Sequence, residues 1–239
     1  MKIDAESCTV CDECVPYCPM GAISIDDVAV IDQDECVDCG VCLRAQICPA
    51  DAFIYEPAAW PRSLRALFSD ARTVHKDTSL PGRGTSEMKT NEVTGTFKRG
   101  WVGIGIEMGR PGIGTRFHDV NKVAQAMAQL GVHFAPKNPV TFLMEDVNTG
   151  KLKEEVLDEK VLSAIIEFIF PIEKLEDVLT SLRKVSQEID TVFSVDCINR
   201  AEDDGSLPVE KILLELGVPY YINGKTNVGL GRPLAEGEN

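Results

Sequence analysis

The sequence has no apolar run long enough to cross a lipid bilayer, and its first quarter has little positive charge. The longest apolar stretch, residues 162–170, contains Glu167 and is much shorter than the roughly 20 residues that a membrane-spanning helix needs. Residues 1–56 contain two basic and twelve acidic residues, within a chain of net charge −14. Acidic surfaces repel nucleic-acid phosphates and attract basic protein patches. We therefore expect a protein partner, no nucleic acid and no membrane.

Several enzyme signatures are also absent. There is no GxxxxGK[ST] phosphate loop, no CxxxCxxC radical motif and no discernible Ser–His–Asp or Cys–His arrangement. The three histidines do not have metal-ligand spacing. The first residues lack a basic segment followed by an apolar one, so a cytoplasmic location is expected. These patterns predict no catalytic residue.

Cysteine, in contrast, is concentrated: eight of the nine cysteines lie between positions 8 and 48. In each of two runs, three cysteines are separated by two residues and a fourth precedes a proline. The runs are Cys8, Cys11, Cys14 and Cys18, then Cys36, Cys39, Cys42 and Cys48. Zinc sites usually combine two separated CxxC pairs, and dense disulfides are typical of small secreted proteins. Three closely spaced thiols favour an iron–sulfur cluster over both alternatives.

Residues 1–56 resemble the bacterial two-cluster 4Fe–4S ferredoxins. The resemblance is carried by both cysteine runs, by Pro19 and Pro49, and by the short strand patterns GAISID (21–26), VAVID (28–32) and DAFIYE (51–56). It implies two 4Fe–4S clusters with crossed ligands, because the cysteine before each proline serves the other cluster. Cluster one then takes Cys8, Cys11, Cys14 and Cys48, and cluster two takes Cys36, Cys39, Cys42 and Cys18.

One spacing departs from that family. Five residues, LRAQI (43–47), separate the last two cysteines of the second run, where three are usual. Backbone amides and solvent exposure near the sulfurs influence cluster potential. The longer loop therefore predicts either two clusters of different potential or a neutral surface insertion.

Residues 57–100 are predicted to be a basic, glycine-rich connecting strap with one short helix. Their net charge is +4, and Leu64, Leu67 and Phe68 share a helical face after Pro61. The strap is expected either to pack across the following domain or to be held by a partner chain.

Residues 101–239 alternate between strand and helix patterns and are predicted to form an α+β domain. The predicted strands are 101–108, 140–147, 160–171 and 191–198, with a terminal strand or turn at 219–224; the predicted helices are 118–131, 172–189 and 208–217. Two βαβ units with further strands favour an α+β sandwich of ferredoxin-like topology. A doubly wound α/β fold is the alternative.

Two glycine-arginine turns in this domain, GRPGIGTRF (109–117) and NVGLGRPL (227–234), are candidate anion sites. Arg110, Arg116 and Arg232 would then bind a flavin phosphate or a substrate carboxylate, although a purely structural role is the favoured interpretation. A flavin is considered, but no motif indicates one. Glu107 is expected to form an internal ion pair, and Cys197 to be a small buried hydrophobic residue.

A fainter resemblance covers residues 89–140, from KTNEVTG through GWVGIGIEMGRPGIGTRFHDV to the helix that follows. This segment is similar to the one after the ferredoxin module in 6-hydroxynicotinate reductase-type proteins. The resemblance implies electron delivery to a flavoenzyme component that reduces a nitrogen heteroaromatic ring. It supplies no catalytic residue.

Two functions are therefore compared. The first is an electron-relay subunit that passes single electrons to a catalytic oxidoreductase partner, an arrangement that allows a hetero-oligomer. The second is a self-contained ferredoxin-fused reductase that binds a flavin or an anionic, N-heteroaromatic substrate within residues 101–239. The cysteine pattern and the acidic first quarter favour the first.

Overall fold

The computed structural model describes residues 1–81, 96–110 and 112–221. The cysteine-rich region, residues 1–56, contains two small antiparallel sheets and one helical turn. Its elements are β1 (Lys2–Ile3), β2 (Ile23–Ile25), β3 (Ala29–Ile31), α1 (Val41–Arg44) and β4 (Phe53–Ile54). β1 pairs with β4, and β2 pairs with β3. Pairing β1 with β4 brings the two ends of the region together.

The core of the cysteine-rich region is small. Buried apolar residues from both sheets pack around the cysteines; they are Met1, Ile23, Ala29 and Ile31. In β2, Ile23 is buried and Ser24 is exposed, as expected for a strand with one covered face. With so little apolar area to bury, the region gains little stability from its own core.

Helix α2 (Ser63–Ser69) joins this region to the rest of the chain. Leu64 and Phe68 are 1% and 3% exposed and belong to the core of the following region. The ring of Phe68 meets that of Phe117 edge-on, with centroids 5.3 Å apart. The strap was expected either to pack across the following domain or to be held by a partner chain. Its described part packs against the following domain.

The sheet region, residues 101–221, is built on a four-stranded antiparallel sheet in the order β12, β5, β11, β7. Its elements are β5 (Trp101–Met108), β6 (Thr115–Arg116), α3 (Phe117–Ala128), β7 (His133–Phe134), β8 (Met144–Asp146), β9 (Lys151–Leu152), β10 (Lys160–Val161), β11 (Ala164–Pro171), α4 (Leu175–Val185), β12 (Phe193–Asn199) and α5 (Pro208–Glu215). Two short antiparallel pairs, β6 with β10 and β8 with β9, lie outside the main sheet.

Helices α3 and α4 form because their apolar residues recur every three or four positions. The buried residues of α3 include Val120, Val123 and Met127, and those of α4 include Val178 and Leu182. Each fully buried side chain of this size stabilises the fold by about 1.5–3 kcal/mol. The two helices therefore anchor the sheet that positions β6 and β10 beside the cysteine-rich region. No helix among residues 1–81, 96–110 and 112–221 is long and apolar enough to span a bilayer.

The prediction of one strand over residues 140–147 was wrong. A helical turn occupies Thr141–Leu143 and the short β8 follows it, outside the main sheet. The strand that follows β5 in the main sheet, in chain order, is β7. The physical reason is Asn138, which is fully buried and whose Oδ1 accepts hydrogen bonds from the backbone amides of Val140 and Thr141. An Asn that binds the following amides favours a turn over a strand.

The prediction that Cys197 is buried was also wrong. Cys197 lies on β12, an edge strand that pairs only with β5 within the described chain, and it is exposed. Apolar alternation alone does not distinguish an edge strand from a central one. The predicted strand or turn at 219–224 extends beyond residue 221 and so lies partly outside the described residues.

Candidate metal centre

The eight clustered cysteines surround two separate cavities. The first cavity is lined by Cys8, Cys11, Cys14 and Cys48. The second cavity is lined by Cys18, Cys36, Cys39 and Cys42. Each cavity thus receives three thiols from one run and the last thiol of the other run.

The last cysteine of each run is held in the same way in both repeats. The backbone amide of Ala22 donates to the sulfur of Cys18 at 3.2 Å, and the amide of Ala52 donates to the sulfur of Cys48 at 3.3 Å. In both cases the donor lies four residues after the sulfur. Amides that donate to a sulfur stabilise its thiolate form.

The loops between the cysteines use left-handed backbone conformations at matching positions. Val10 and Asp38 each follow the first cysteine of a run by two residues, with φ of 56° and 50°. Asp12 and Gly40 each follow the second cysteine by one residue, with φ of 65° and 66°. A β-branched residue such as Val10 rarely adopts this conformation, and such strain persists only where its surroundings require it.

The thiols are chemically suited to a positively charged group. Burial raises the pKa of Cys14, Cys36 and Cys39 above the usual range. Burial, and then the neighbouring Cys39, raise the pKa of Cys42 to about 11. Thiolates packed this closely are stable only when a metal neutralises them. The donor set therefore fits a metal–sulfur group in each cavity.

A single metal ion fits less well. Among the residues that the structure describes, no three His, Cys, Asp or Glu side chains are grouped closely enough to hold one ion. Zinc requires four ligands at about 2.0–2.3 Å from one centre. Four thiols that line one cavity without converging on a single point suit a group of several atoms instead.

The two cavities differ in exposure. Cys11, at the first cavity, is exposed, whereas Cys39, at the second, is buried. Thr9 and Asp12, which also line the first cavity, are exposed as well. The first cavity therefore lies next to the free surface of the cysteine-rich region.

The second cavity lies next to the start of helix α2, where Arg62, the residue before the helix, and Arg65, within it, meet the second cysteine run. Arg62 Nε is 3.2 Å from Asp38 Oδ2, and Asp38 lines the cavity. Arg65 is 5% exposed; its Nη1 donates to the carbonyl oxygens of Gln33, Asp34 and Cys36 at 2.8–3.0 Å. Its Nε pairs with Glu159 of the sheet region.

Two further cations reach the same segment from the sheet region. Arg116 Nη2 lies 2.6 Å from Asp34 Oδ2 and 3.1 Å from Glu35 Oε1, and Lys160 also pairs with Glu35. Hydrogen bonding to Arg116 lowers the pKa of Asp34 below its usual value. We call the four cations that surround the start of the second cysteine run the cationic bridge; they are Arg62, Arg65, Arg116 and Lys160.

The three arginines predicted to bind an anion are not grouped by the described structure. Arg110 Nη1 pairs with Glu107 Oε2 at 3.0 Å, which is the ion pair expected for Glu107. Arg116 uses its two terminal nitrogens on Asp34, Glu35 and the carbonyl of Asp158. Arg232 lies outside the described residues. A flavin or substrate anion at these arginines stays a prediction.

The turn that carries Arg110 has a structural role. Gly114 has φ of +72°, and a Cβ added there would lie 2.7 Å from Cε of Met20. Met20 lines the second cavity. The turn therefore packs against the cysteine-rich region, while its left-handed backbone and the carbonyl oxygen of Val161, 2.9 Å from an added Cβ, are what favour glycine at this position.

Sequence reasoning missed the cationic bridge and Met20. The only signal was the positive charge of the strap next to an acidic region. Arg62 and Arg65 are three residues apart, which places them on one side of a helix, but no pattern indicated which carboxylates they would meet.

Comparisons with known proteins all concern the cysteine-rich region. A family model described as a 4Fe-4S dicluster domain matches residues 7–52. A ferredoxin-like protein in the vnf region of Azotobacter chroococcum is 43% identical over 61 residues, which cover 24% of this chain and 92% of that protein. Ferredoxin-2 of Chlorobaculum tepidum is 41% identical over 56 residues, 20% of this chain and 87% of that protein.

A third relative is named as a subunit of a larger enzyme. The pyruvate synthase subunit PorD of Methanothermobacter marburgensis is 41% identical over 54 residues, 23% of this chain and 62% of that protein. No solved structure matches the chain significantly.

Proposed function

The chain belongs, through its cysteine-rich region, to the 4Fe–4S dicluster ferredoxins and binds two 4Fe–4S clusters; from this premise we propose that it is the electron-relay subunit of a larger oxidoreductase. It would pass single electrons to a catalytic partner chain. The observation that carries the proposal is the pair of four-thiol cavities, one at the free surface and one beside the sheet region.

The linings of the cavities support the proposed ligand sets. Cys8, Cys11, Cys14 and Cys48 would hold cluster one, and Cys18, Cys36, Cys39 and Cys42 would hold cluster two. A bound 4Fe–4S cluster supplies a centre that takes up and returns one electron at a time. The amides of Ala22 and Ala52 stabilise thiolate charge at the two crossing cysteines.

A protein that donates electrons would meet the chain next to Cys11. The exposed lining residues Thr9, Cys11 and Asp12 form the part of the first cavity that another protein can approach. The acidic residues around it favour a basic patch on that partner. The similarity to PorD, a subunit by its printed name, supports a role in an assembly.

For the sheet region we infer ferredoxin-like topology, without a cluster. The strand order, which is fourth, first, third and second in chain order, and the helices between strands support it. We propose that this region docks a catalytic subunit in the cytoplasm, and that the segments 1–56, 57–100 and 101–239 are its functional divisions. Delivery of electrons to an enzyme acting on a nitrogen heteroaromatic ring stays a prediction from the sequence.

Anaerobic purification of the native protein tests the proposal. We expect about eight irons per chain, an equal amount of sulfide, no flavin, and a co-purifying chain in fixed ratio that carries a catalytic cofactor. Flavin bound to this chain alone, with substrate turnover, would contradict the relay function and favour a self-contained reductase. A matched preparation of Arg110→Gln separates the two, because only the reductase requires the arginine turn.

A further inference from the structure

The carboxylates beside the second cavity are paired with cations. Asp38 lines that cavity; its Oδ1 lies 3.6 Å from the sulfur of Cys36, and Arg62 lies 3.2 Å from its Oδ2. Asp34 and Glu35, which precede Cys36, are paired with Arg116 and Lys160 (see above). The negative charge nearest this cavity is therefore largely neutralised.

The carboxylates beside the first cavity are not paired with Lys or Arg side chains in the described part of the chain. Asp12 lines the cavity, and Glu6 and Glu13 lie within the same loop. Within residues 1–81, 96–110 and 112–221, no Lys or Arg side chain lies within 4.0 Å of any of the three. The two cavities thus have equivalent thiols but different surrounding charge.

Charge decides how easily each site accepts an electron. An added electron is repelled by unpaired carboxylates and stabilised by nearby cations, and buried charges are screened least. Arg65 is the most buried member of the cationic bridge, and it donates to the carbonyl of a cysteine that lines the cavity. Net charge and hydrogen bonding are two of the factors that set 4Fe–4S potentials.

We propose that the cationic bridge gives cluster two a higher reduction potential than cluster one, so that a single electron gained by the chain rests beside the sheet region. This inference rests on the proposed function and on the ligand sets given there. One electron lost by a reduced partner protein is one electron gained by this chain. At equilibrium that electron is held away from the free surface.

The test is an anaerobic redox titration of the purified full chain, followed by electron paramagnetic resonance, in the unchanged protein and in Arg62→Gln. We expect two distinct midpoint potentials, and we expect the higher one to fall in the variant. A tenfold lower ratio of reduced to oxidised cluster at a fixed potential corresponds to about 59 mV. The lower potential should not move.

Lys2→Gln is the matched control. It also removes one positive charge from the cysteine-rich region, but Lys2 is 62% exposed and pairs with exposed Glu56. Neither potential should change. Asp38→Asn removes a negative charge instead and should raise the higher potential. The double variant with Asp38→Asn and Arg62→Gln should return that potential towards its original value. The double variant also tests the inference if Arg62→Gln alone fails to fold.

Three results overturn the inference. They are two potentials that coincide, a shift of the lower potential in Arg62→Gln, and an equal shift in Lys2→Gln. Iron and sulfide counts separate this inference from the proposed function. Protein with about eight irons and the wrong order of potentials overturns only the inference, whereas protein without two clusters overturns both.

Discussion

The first and second cysteine cavities are formed by two copies of one short repeat, yet among the described residues the ion pairs to the sheet region surround only the second. Matching amide–sulfur hydrogen bonds and matching left-handed residues position the thiols in both. At the first cavity the neighbouring carboxylates face solvent. At the second, Asp34 and Asp38 meet arginines from helix α2 and from β6.

The difference shows that thiol placement and electrostatic environment have separate origins. The repeat determines where the sulfurs lie. The charge around the second set is determined by residues up to 125 positions away, as in the pair between Glu35 and Lys160. Substitutions of the cysteines should therefore change cluster binding, and substitutions of the surrounding charged residues should change reduction potential. The two effects can be measured separately.

The largest expected effect tests the crossing of the ligands. Cys18→Ser should abolish cluster two, and Cys48→Ser should abolish cluster one, because each thiol lines the cavity of the opposite run. Each variant should lose about half of its iron. Iron analysis with electron paramagnetic resonance measures the loss, and the surviving signal should differ between the two variants.

Cys197→Ser is the control, since that cysteine lies on β12 and lines neither cavity. Identical surviving signals in Cys18→Ser and Cys11→Ser would show that each run binds its own cluster, and the ligand sets would then be wrong.

Next in size is the attachment of the second cavity to the sheet region. Arg65→Met leaves Glu159 buried without its partner, which typically costs about 3–5 kcal/mol. Lys2→Met breaks an exposed pair and should cost less than about 1 kcal/mol. Urea unfolding under anaerobic conditions compares the two variants. Equal free energies of unfolding for the Arg65→Met and Lys2→Met variants would mean that the pair between Arg65 and Glu159 is not buried in solution.

A smaller effect is expected at the glycine turn. Gly114→Ala incurs left-handed strain of about 1–2 kcal/mol and in addition drives a methyl group against Met20 and the carbonyl of Val161. Gly112→Ala has similar strain at φ +57° but no atom within 4 Å of the added Cβ. The difference between their free energies of unfolding isolates the contact. No difference would mean that the turn moves away from Met20 in solution.

The smallest effect is a pH dependence. Burial lowers the pKa of His75 below its usual value of 6.5, with Asp77 opposing the shift; the ring packs between Phe68 and Phe142. The folded chain therefore binds this proton less readily than the unfolded chain. Stability from His75 is complete above pH 6.5 and is lost as pH falls through the lowered pKa, by at most about 1.4 kcal/mol per pH unit.

Thermal unfolding at pH 7.5 and at pH 5.5 measures this dependence. His75→Gln should show a smaller drop between the two pH values than the unchanged protein does. His118→Gln retains His75 and should keep the full drop. A drop of the same size in all three proteins would assign the dependence to other groups.

The sequence allowed the local features to be predicted and not the long-range ones. Cysteine spacing indicated the iron–sulfur class, and apolar periodicity located β5, α3 and α4 to within a few residues. The two-residue β7 was missed, because a strand that short has no period of its own. Residues 140–147 were taken for a strand because the capping effect of Asn138 depends on its position in the fold.

The charge environment of the second cavity was out of reach for a different reason. Ion pairs such as Arg116–Asp34 join residues separated by 82 positions, and a surface charge has no pattern that names its partner. The five-residue loop between Cys42 and Cys48 is longer than in the ferredoxin family, and the structure shows a contact of this loop that cysteine spacing cannot predict. Arg44, within that loop, pairs with Asp70 at the end of α2, 2.9 Å away.

The hydrogen bonds of Arg65 have a consequence for anyone who exchanges modules between redox proteins. A fragment cut after residue 56 would leave three backbone carbonyls and Asp38 without the guanidinium groups that they meet in the intact chain. A fragment that continued to residue 69 would carry both arginines but would expose Leu64 and Phe68 to water. The transferable unit is therefore longer than the cysteine motif, and a graft must bring helix α2 together with an apolar surface that covers it.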